Sequence, residues 1–391
     1  MPTVDEAKAR LLAALRDDGP ASRVELGERL GVQRTRLAAD LLALEGLGLV
    51  EPAGHAASRG GRRSTLVRLA ENLRFVGVDV GATSIDVGVT DARCEVLARV
   101  SEPCDVRRGP MPVLSRVLDL TTSALRQAPG RLTGVGIGLP GPVSYREGML
   151  VAPPIMPGWD RFPVRDHLAS HLGCPVVVDN DVNVMALGER HAGVARSLDD
   201  FVFVKVGTGI GCGVVVGGQV YRGVQGAAGD IGHIRLTDDG PVCSCGELGC
   251  LEAYFGGAAL ARDATALAKS GRSAVLARLL ADNKELLASD VAIAVATGDG
   301  AAVGLLRDGG RRLGQVIASL VSFLNPGMVV IGGGVAGLGH QLLSELRSVV
   351  YRRSLPLATG NLPIVLSELE GQAGMIGAAW SVSDRAFQAI A

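Results

Sequence analysis

Five times from Phe75 onward a short apolar run stops at a turn rich in glycine or Asx residues: FVGVDVG, GVGIGLPG, PVVVDND, FVFVKVGTG and MVVIGGG. Such runs read as strands, and strands that alternate with helical stretches predict an α/β body. The chain has 54 glycines without a collagen-like period. That abundance fits tight turns after strands and close approach of backbone to a ligand. Two openings, VGVDVGATS and VFVKVGTGIG, hint at a duplicated strand–turn unit, and the stretch from about Tyr254 to Gln315 reads as mostly helical. With 391 residues, 47% of them hydrophobic, two or three domains with a sizeable core are expected.

The net charge of −1 gives no global nucleic-acid signal, so any DNA site must be a local patch. No apolar run reaches membrane-spanning length; Arg68, Glu71 and Arg74 interrupt the best early stretch. The start, MPTVDEAKARLLAALRDD, is an amphipathic charged helix and not a signal peptide. A cytoplasmic protein without a membrane partner is expected, and there the seven cysteines are thiols or metal ligands. Cys94, Cys104, Cys174 and Cys212 are scattered and read as small core residues.

The first seventy residues have a different texture, rich in Leu, Ala, Arg and Glu. One helix is expected over roughly Val4 to Asp17, with Ala7, Leu11, Leu12 and Leu15 at helical spacing. A second runs from Arg23 to Leu30 behind a Ser22/Glu25 capping box, and a third from about Gln33 to Glu45 with Leu37, Leu41, Leu42 and Leu44 inward. Leu49–Glu51 and Thr65–Leu69 look like two short strands around a Gly-, Arg- and Ser-rich loop. Helix, glycine turn, helix and a two-stranded wing is the winged helix-turn-helix plan. Its DNA-reading side chains would be Gln33, Arg34, Thr35 and Arg36 at the start of the third helix. Arg59, Arg62 and Arg63 in the wing would lie along phosphates or in a narrow minor groove. The plainer alternative is a helical protein-interaction or dimerisation module with a solvated basic loop.

Three body segments suit a nucleotide: Asp79, Gly81 and Thr83 after the first strand, Gly207-Thr208-Gly209 after a later one, and Gly332-Gly333-Gly334 after MVVI. Glycine lets backbone N–H groups come close to phosphate, and threonine hydroxyls donate to it. In Val178-Asp179-Asn180-Asp181-Val182-Asn183, carboxylates and amides meet at a strand end. They suit sugar hydroxyls, and a carboxylate there can take a proton from a hydroxyl attacking phosphorus. An Asx turn capping the next helix accounts for the same residues equally well.

Cys243, Cys245 and Cys250 form C-x-C-x4-C, with His233 ten residues upstream of the first. Three thiolates and an imidazole fill a tetrahedral Zn²⁺ shell, and four protein ligands make a closed, structural site. Three free thiols beside an ordinary histidine are the alternative.

Together these motifs resemble the ROK family of repressors, open reading frames and kinases. Matching stretches are GGRRSTLVRL, DVGATS, GIGLPGPV, PGWD, DNDVNVMALGE, GTGIGCG, GAAGDIGH and CSCGELGCLE, covering almost the whole chain. The resemblance implies a two-lobed body of the actin-like ATPase type with a sugar in the cleft between the lobes. It places sugar contacts at Gly141, Asn180, Asp181, His233 and Glu252, gives Asp181 the position of the kinases' catalytic base, and makes His233 both zinc ligand and sugar neighbour. Three positions depart from the family pattern: Asp230 stands for a sugar-contacting Glu, Ala82 for a glycine and Ser84 for a lysine of the first phosphate turn.

The expectation is a sugar-responsive transcriptional repressor. Residues 1–70 would form a winged helix-turn-helix on operator DNA, and residues 71–391 a ROK body with a zinc site at 233–250, binding a sugar or sugar phosphate. A homodimer or homotetramer would match the operator. The alternatives are an ATP- and Mg²⁺-dependent, glucokinase-like sugar kinase and a zinc-stabilised protein-interaction scaffold.

Overall fold

The computed structural model describes residues 4–55, 64–369 and 371–390. The N-terminal part comprises α1 (Val4–Asp18), β1 (Ala21–Ser22), α2 (Arg23–Leu30), α3 (Arg34–Gly46), β2 (Val50–His55) and β3 (Thr65–Leu69). Ser22 caps α2 as its sequence requires: its hydroxyl accepts from Glu25 N–H at 3.3 Å, and Glu25 Oε2 accepts from Ser22 N–H at 2.8 Å. Gly31 ends α2 in the left-handed region at φ 65° and turns the chain into α3. Val32 N–H closes that turn on Gly27 O at 3.1 Å. The wing strands pair antiparallel, and the unforeseen β1 joins them in the order β1-β3-β2.

One packing expectation fails in α3. Leu37, Leu41 and Leu44 are buried, but Leu42 is 71% exposed. The buried three follow spacings of four and three, a single helical stripe. Leu42 lies about 100° further round from Leu41 and so leaves that stripe.

The body begins with β4 (Leu73–Val80), β5 (Ser84–Thr90), β6 (Val96–Pro103), α4 (Pro110–Gln127) and β7 (Arg131–Leu139). A small hairpin, β8 (Val143–Ser144) and β9 (Met149–Leu150), precedes α5 (Val164–Leu172), β10 (Val176–Asn180) and α6 (Asp181–His191). Then come β11 (Phe201–Val206), β12 (Ile210–Val216), β13 (Gln219–Val220), α7 (Leu251–Phe255) and α8 (Gly257–Lys269). The helices α9 (Ala274–Asn283), α10 (Ala288–Ala296) and α11 (Gly300–Leu324) follow. The chain ends with β14 (Val329–Gly332), α12 (Gly339–Arg353), α13 (Pro356–Thr359), β15 (Ile364–Leu366) and α14 (Ala373–Ile390).

Two five-stranded sheets result, ordered β10-β7-β4-β5-β6 and β13-β12-β11-β14-β15. Each is an antiparallel meander extended by two parallel strands. The sheets share one plan, so the repeated strand–turn openings sit at equivalent hairpins, β4–β5 and β11–β12.

Helix α14 ties the molecule together. It lies so close to the first sheet that a Cβ on Gly136 would overlap Ala378 O, and so close to α6 that one on Gly377 would overlap Val184 O. Its far half supplies Ala379, Val382, Ala386 and Phe387 to a core shared with Leu11, Leu12 and Leu15 of α1 and Phe75 of β4. Arg16 of α1 is buried in this joint. Its guanidinium rests 3.8 Å from the Trp380 ring, donates to Ser383 Oγ at 3.1 Å and lies 3.5 Å from Asp384. A buried cation needs such partners. Among the described residues, no single helix is long and apolar enough to cross a membrane.

Candidate functional site

The strand β10 delivers its last residues to the rim between the two sheets, where the chain turns into α6. Asn180 is the N-cap of α6: its Oδ1 accepts from Val182 N–H at 2.9 Å and Asn183 N–H at 3.3 Å. Its Nδ2 donates to Gly141 O at 3.0 Å, in the turn after β7 where Gly141 takes φ 101°. Capping is therefore a real function of this Asx cluster. Asp179, one residue earlier, is buried and structural: Arg222 grips its Oδ2 through Nε (2.9 Å) and Nη2 (2.7 Å), and Asn183 donates to its Oδ1 at 3.0 Å. Arg222 in turn lies over Tyr145 at 4.1 Å.

Asp181 faces a cavity of about 220 Å³. That exceeds the roughly 150 Å³ of a cavity that holds a benzene ring, so one hydroxylated six-membered ring is a sensible occupant. All six residues expected at a sugar line it: Gly141, Asn180, Asp181, Asp230, His233 and Glu252. Of those expected at a nucleotide, Thr208 and Gly209 also line it. Asp79, Gly81, Thr83, Gly207 and Gly333 are not among its lining residues. Asp79 is buried, Gly81 N–H closes the first turn on Ser84 O at 2.8 Å, and Thr83 is exposed. Gly207 O accepts from Gly257 N–H at 2.7 Å, and Gly333, at φ 87°, is packed against the Val206 backbone.

Glu252 joins three parts of the site. Its Oε2 accepts from Ile210 N–H at 3.0 Å and its Oε1 from Ser244 Oγ at 3.0 Å, linking the GTG turn to the cysteine loop. Glycine at 209 leaves room for this carboxylate: a Cβ there would overlap Glu252 Oε2 and displace it from its hydrogen bonds.

His233, Cys243, Cys245 and Cys250 each offer one ligand atom, all within 4.8 Å of one another. Cys245 Sγ and Cys250 Sγ are 3.8 Å apart, and Cys243 Sγ lies 3.5 Å from His233 Nδ1. Tetrahedral Zn²⁺, with bonds of about 2.3 Å to sulfur and about 2.0–2.1 Å to nitrogen, has edges of about 3.8 and 3.5 Å. The residues fit such an ion. Burial first, then Cys245 and Cys243 as neighbours, pushes the Cys250 thiol up to about 12, so thiolate charge here needs a cation. His233 turns its other nitrogen, Nε2, towards Asp230 Oδ1, 3.9 Å away at the cavity. One imidazole thus belongs to both the metal cluster and the cavity wall.

In the N-terminal part, Gln33, Arg34 and Thr35 are exposed at the start of α3. Arg36 is half-buried, and its Nε donates to both oxygens of Asp40, at 3.0 and 2.8 Å. Arg59, Arg62 and Arg63 lie outside the described residues. Not anticipated from the sequence were Lys205, whose Nζ lies 2.5 Å from Asp181 Oδ2 in the cavity, the buried Arg16 and the half-buried Arg222. The only signal for Lys205 was a charge inside an otherwise apolar strand.

A match to the ROK family spans residues 75–385. A xylose repressor from Caldicellulosiruptor bescii is 28% identical over 378 residues, 95% of this chain and 93% of its own. A solved ROK family transcriptional regulator, a homologue of the E. coli MLC protein, superposes with TM-score 0.82 at 26% identity, covering 98% of this chain and 96% of the other. A ROK family glucokinase from Streptomyces griseus, solved with glucose and AMPPNP, has TM-score 0.70 at 31% identity; it covers 79% of this chain and 98% of its own length.

Proposed function

This chain belongs to the ROK family, and on that premise we propose that it is a sugar-responsive transcriptional repressor. Its carrying observation is the extent of the likeness: the regulators match it end to end, whereas the glucokinase matches only part of it. Residues 1–70 are the DNA-binding unit and residues 71–391 the effector-binding unit. Gln33, Arg34 and Thr35 enter the major groove, with Arg36 held by Asp40, and Arg59, Arg62 and Arg63 contact the backbone or minor groove.

A sugar or sugar phosphate binds among Gly141, Asn180, Asp181, Asp230, His233 and Glu252. His233, Cys243, Cys245 and Cys250 hold a structural Zn²⁺ that fixes the His233 ring at the pocket wall. The effector reaches the DNA-binding unit through three helices. Asn180 and Asp181 begin α6; His191 at its end stacks on Trp380 of α14 at 3.5 Å and 11°; Arg16 of α1 rests on the same ring. Ligand binding acts only by favouring one placement of the DNA-binding units over another. A homodimer or homotetramer presents them in pairs to a palindromic operator. Phe323, Leu355 and Leu357, 86%, 76% and 97% exposed around the end of α11 and α13, offer apolar surface for assembly. The protein works in the cytoplasm, without a membrane.

The alternative, an ATP-dependent sugar kinase, needs Asp181 to take a proton from a sugar hydroxyl. Both its oxygens are engaged, Oδ1 by Val182 N–H at 2.9 Å and Oδ2 by Lys205. Gel-shift titration against the protein's own promoter, with a coupled ADP-release assay over hexoses and pentoses, tests both. Sequence-selective binding at physiological salt and a flat ADP trace are expected; no selective binding would contradict the repressor function.

A further inference from the structure

Strand β11 alternates between two environments, as any strand must. Val202, Val204 and Val206 enter the core formed with α7 to α12, while Phe201 and Phe203 pack with Val182, Met185 and Ala186 of α6. Lys205 falls on the second side, under the first turn of α6. An ammonium in that place requires carboxylates. It has Asp181 Oδ2 at 2.5 Å, with Asp79 of β4 as its next electrostatic neighbour. Burial works against its charge, but Asp181 and then Asp79 more than offset burial and hold the ammonium above the ordinary lysine range.

Burial, opposed by Lys205, pushes Asp79 up to about 7, and among the described residues its Oδ1 has no hydrogen-bond partner. Two carboxylates beside two glycine turns form the oxygen set at which a kinase would hold Mg²⁺ and the phosphates of ATP. Here a side-chain cation is already paired with Asp181, the one of the two that lines the cavity. The first turn fits the phosphates no better: Ala82 puts a Cβ at the cavity wall, and Ser84 brings no positive charge. The residues present do not fit Mg²⁺·ATP.

We infer that Lys205 is a built-in counter-ion, taking beside Asp181 the place of a divalent cation, so that the cleft is assembled and receives its effector without Mg²⁺ or nucleotide. Lys205 is then a positioning residue, fixing Asp181 so that its remaining lone pairs accept a hydrogen bond from a ligand. This rests on the cleft being the effector site, but its test does not need an effector.

The melting temperature of the full chain is measured against MgCl2, with and without AMPPNP, for the wild type and Lys205→Met. A ligand of the folded state raises the melting temperature by mass action. The wild type is expected to give a flat response. Lys205→Met, with Asp181 left without its cation, is expected to melt lower and to recover part of its loss as Mg²⁺ is added. Lys205→Gln, which keeps a polar tip without the charge, serves if the Met variant does not fold, with the same expected recovery. Stabilisation of the wild type by Mg²⁺ or Mg²⁺·AMPPNP would overturn the inference, as would a charge-removed variant indifferent to Mg²⁺. Failure of the sugar-binding function would show separately, as a wild type that no sugar stabilises.

Discussion

His233 shows how much a single side chain carries here, with Nδ1 beside Cys243 and Nε2 turned to Asp230 at the cavity. Removing one thiolate should loosen both sides at once. Cys250→Ser is expected to purify without stoichiometric zinc and to bind effector about 10- to 100-fold more weakly, the range seen when a supporting metal shell is disturbed. Metal analysis and calorimetry check this; full zinc occupancy with unchanged affinity would contradict it. The cluster was legible in the sequence because three cysteines and a histidine fall within eighteen positions, with glycines that let the loop fold around one ion. The Asx run was legible only in kind: the residue types allowed either a cap or a ligand contact, and the structure uses Asn180 as a cap while its side chain also lines the cavity. Lys205 and Arg222 were not legible, because their partners Asp181 and Asp179 lie 24 and 43 residues away, and Arg16, which also pairs with its neighbour Asp17, was not legible because Trp380, Ser383 and Asp384, which surround it, come from the far end of the chain. A lone charge looks like a solvated one until the chain brings its counter-charge.

At the scale of elements, the strands and their glycine turns followed from the apolar runs, and the head's helices from spacing and caps. What the runs did not contain was the use of α14 as a strut between α6 and α1, since contacts between distant helices leave no local pattern. Trp380→Ala is expected to lower stability by about 2 kcal/mol, below the roughly 3–5 kcal/mol of a fully buried Trp. Sugar binding should persist while its effect on operator affinity shrinks; operator titration with and without sugar reads this directly. The same joint gives a pH signature. Burial first, with Arg16 and Arg190 beside it, lowers His191 from 6.5 to about 3. The unfolded chain therefore takes up a proton below about pH 6.5 that the folded protein declines until about pH 3, so stability present above 6.5 is lost as pH falls through that window. Urea unfolding at a series of pH values should show this slope in the wild type and a flatter one in His191→Gln. Parallel curves would remove His191 as its source.

For the whole molecule, the proposed function depends on the α3 surface and the pocket being joined through one packed core. Arg34→Ala should test the first alone: operator affinity is expected to fall by about 1–3 kcal/mol, roughly 5- to 150-fold, with sugar binding unchanged. The overall charge of −1 carries no information on such a surface, because a short local patch is diluted in 391 residues. The central claim is that pocket and operator are coupled. It is tested most directly by measuring operator Kd by fluorescence anisotropy at fixed salt, with and without a saturating sugar identified by calorimetry. A coupling of about 1–3 kcal/mol, typical of such regulators, corresponds to a change of about 5- to 150-fold in Kd. A shift of that size is expected; a sugar that demonstrably fills the pocket yet leaves Kd where it was would contradict the account.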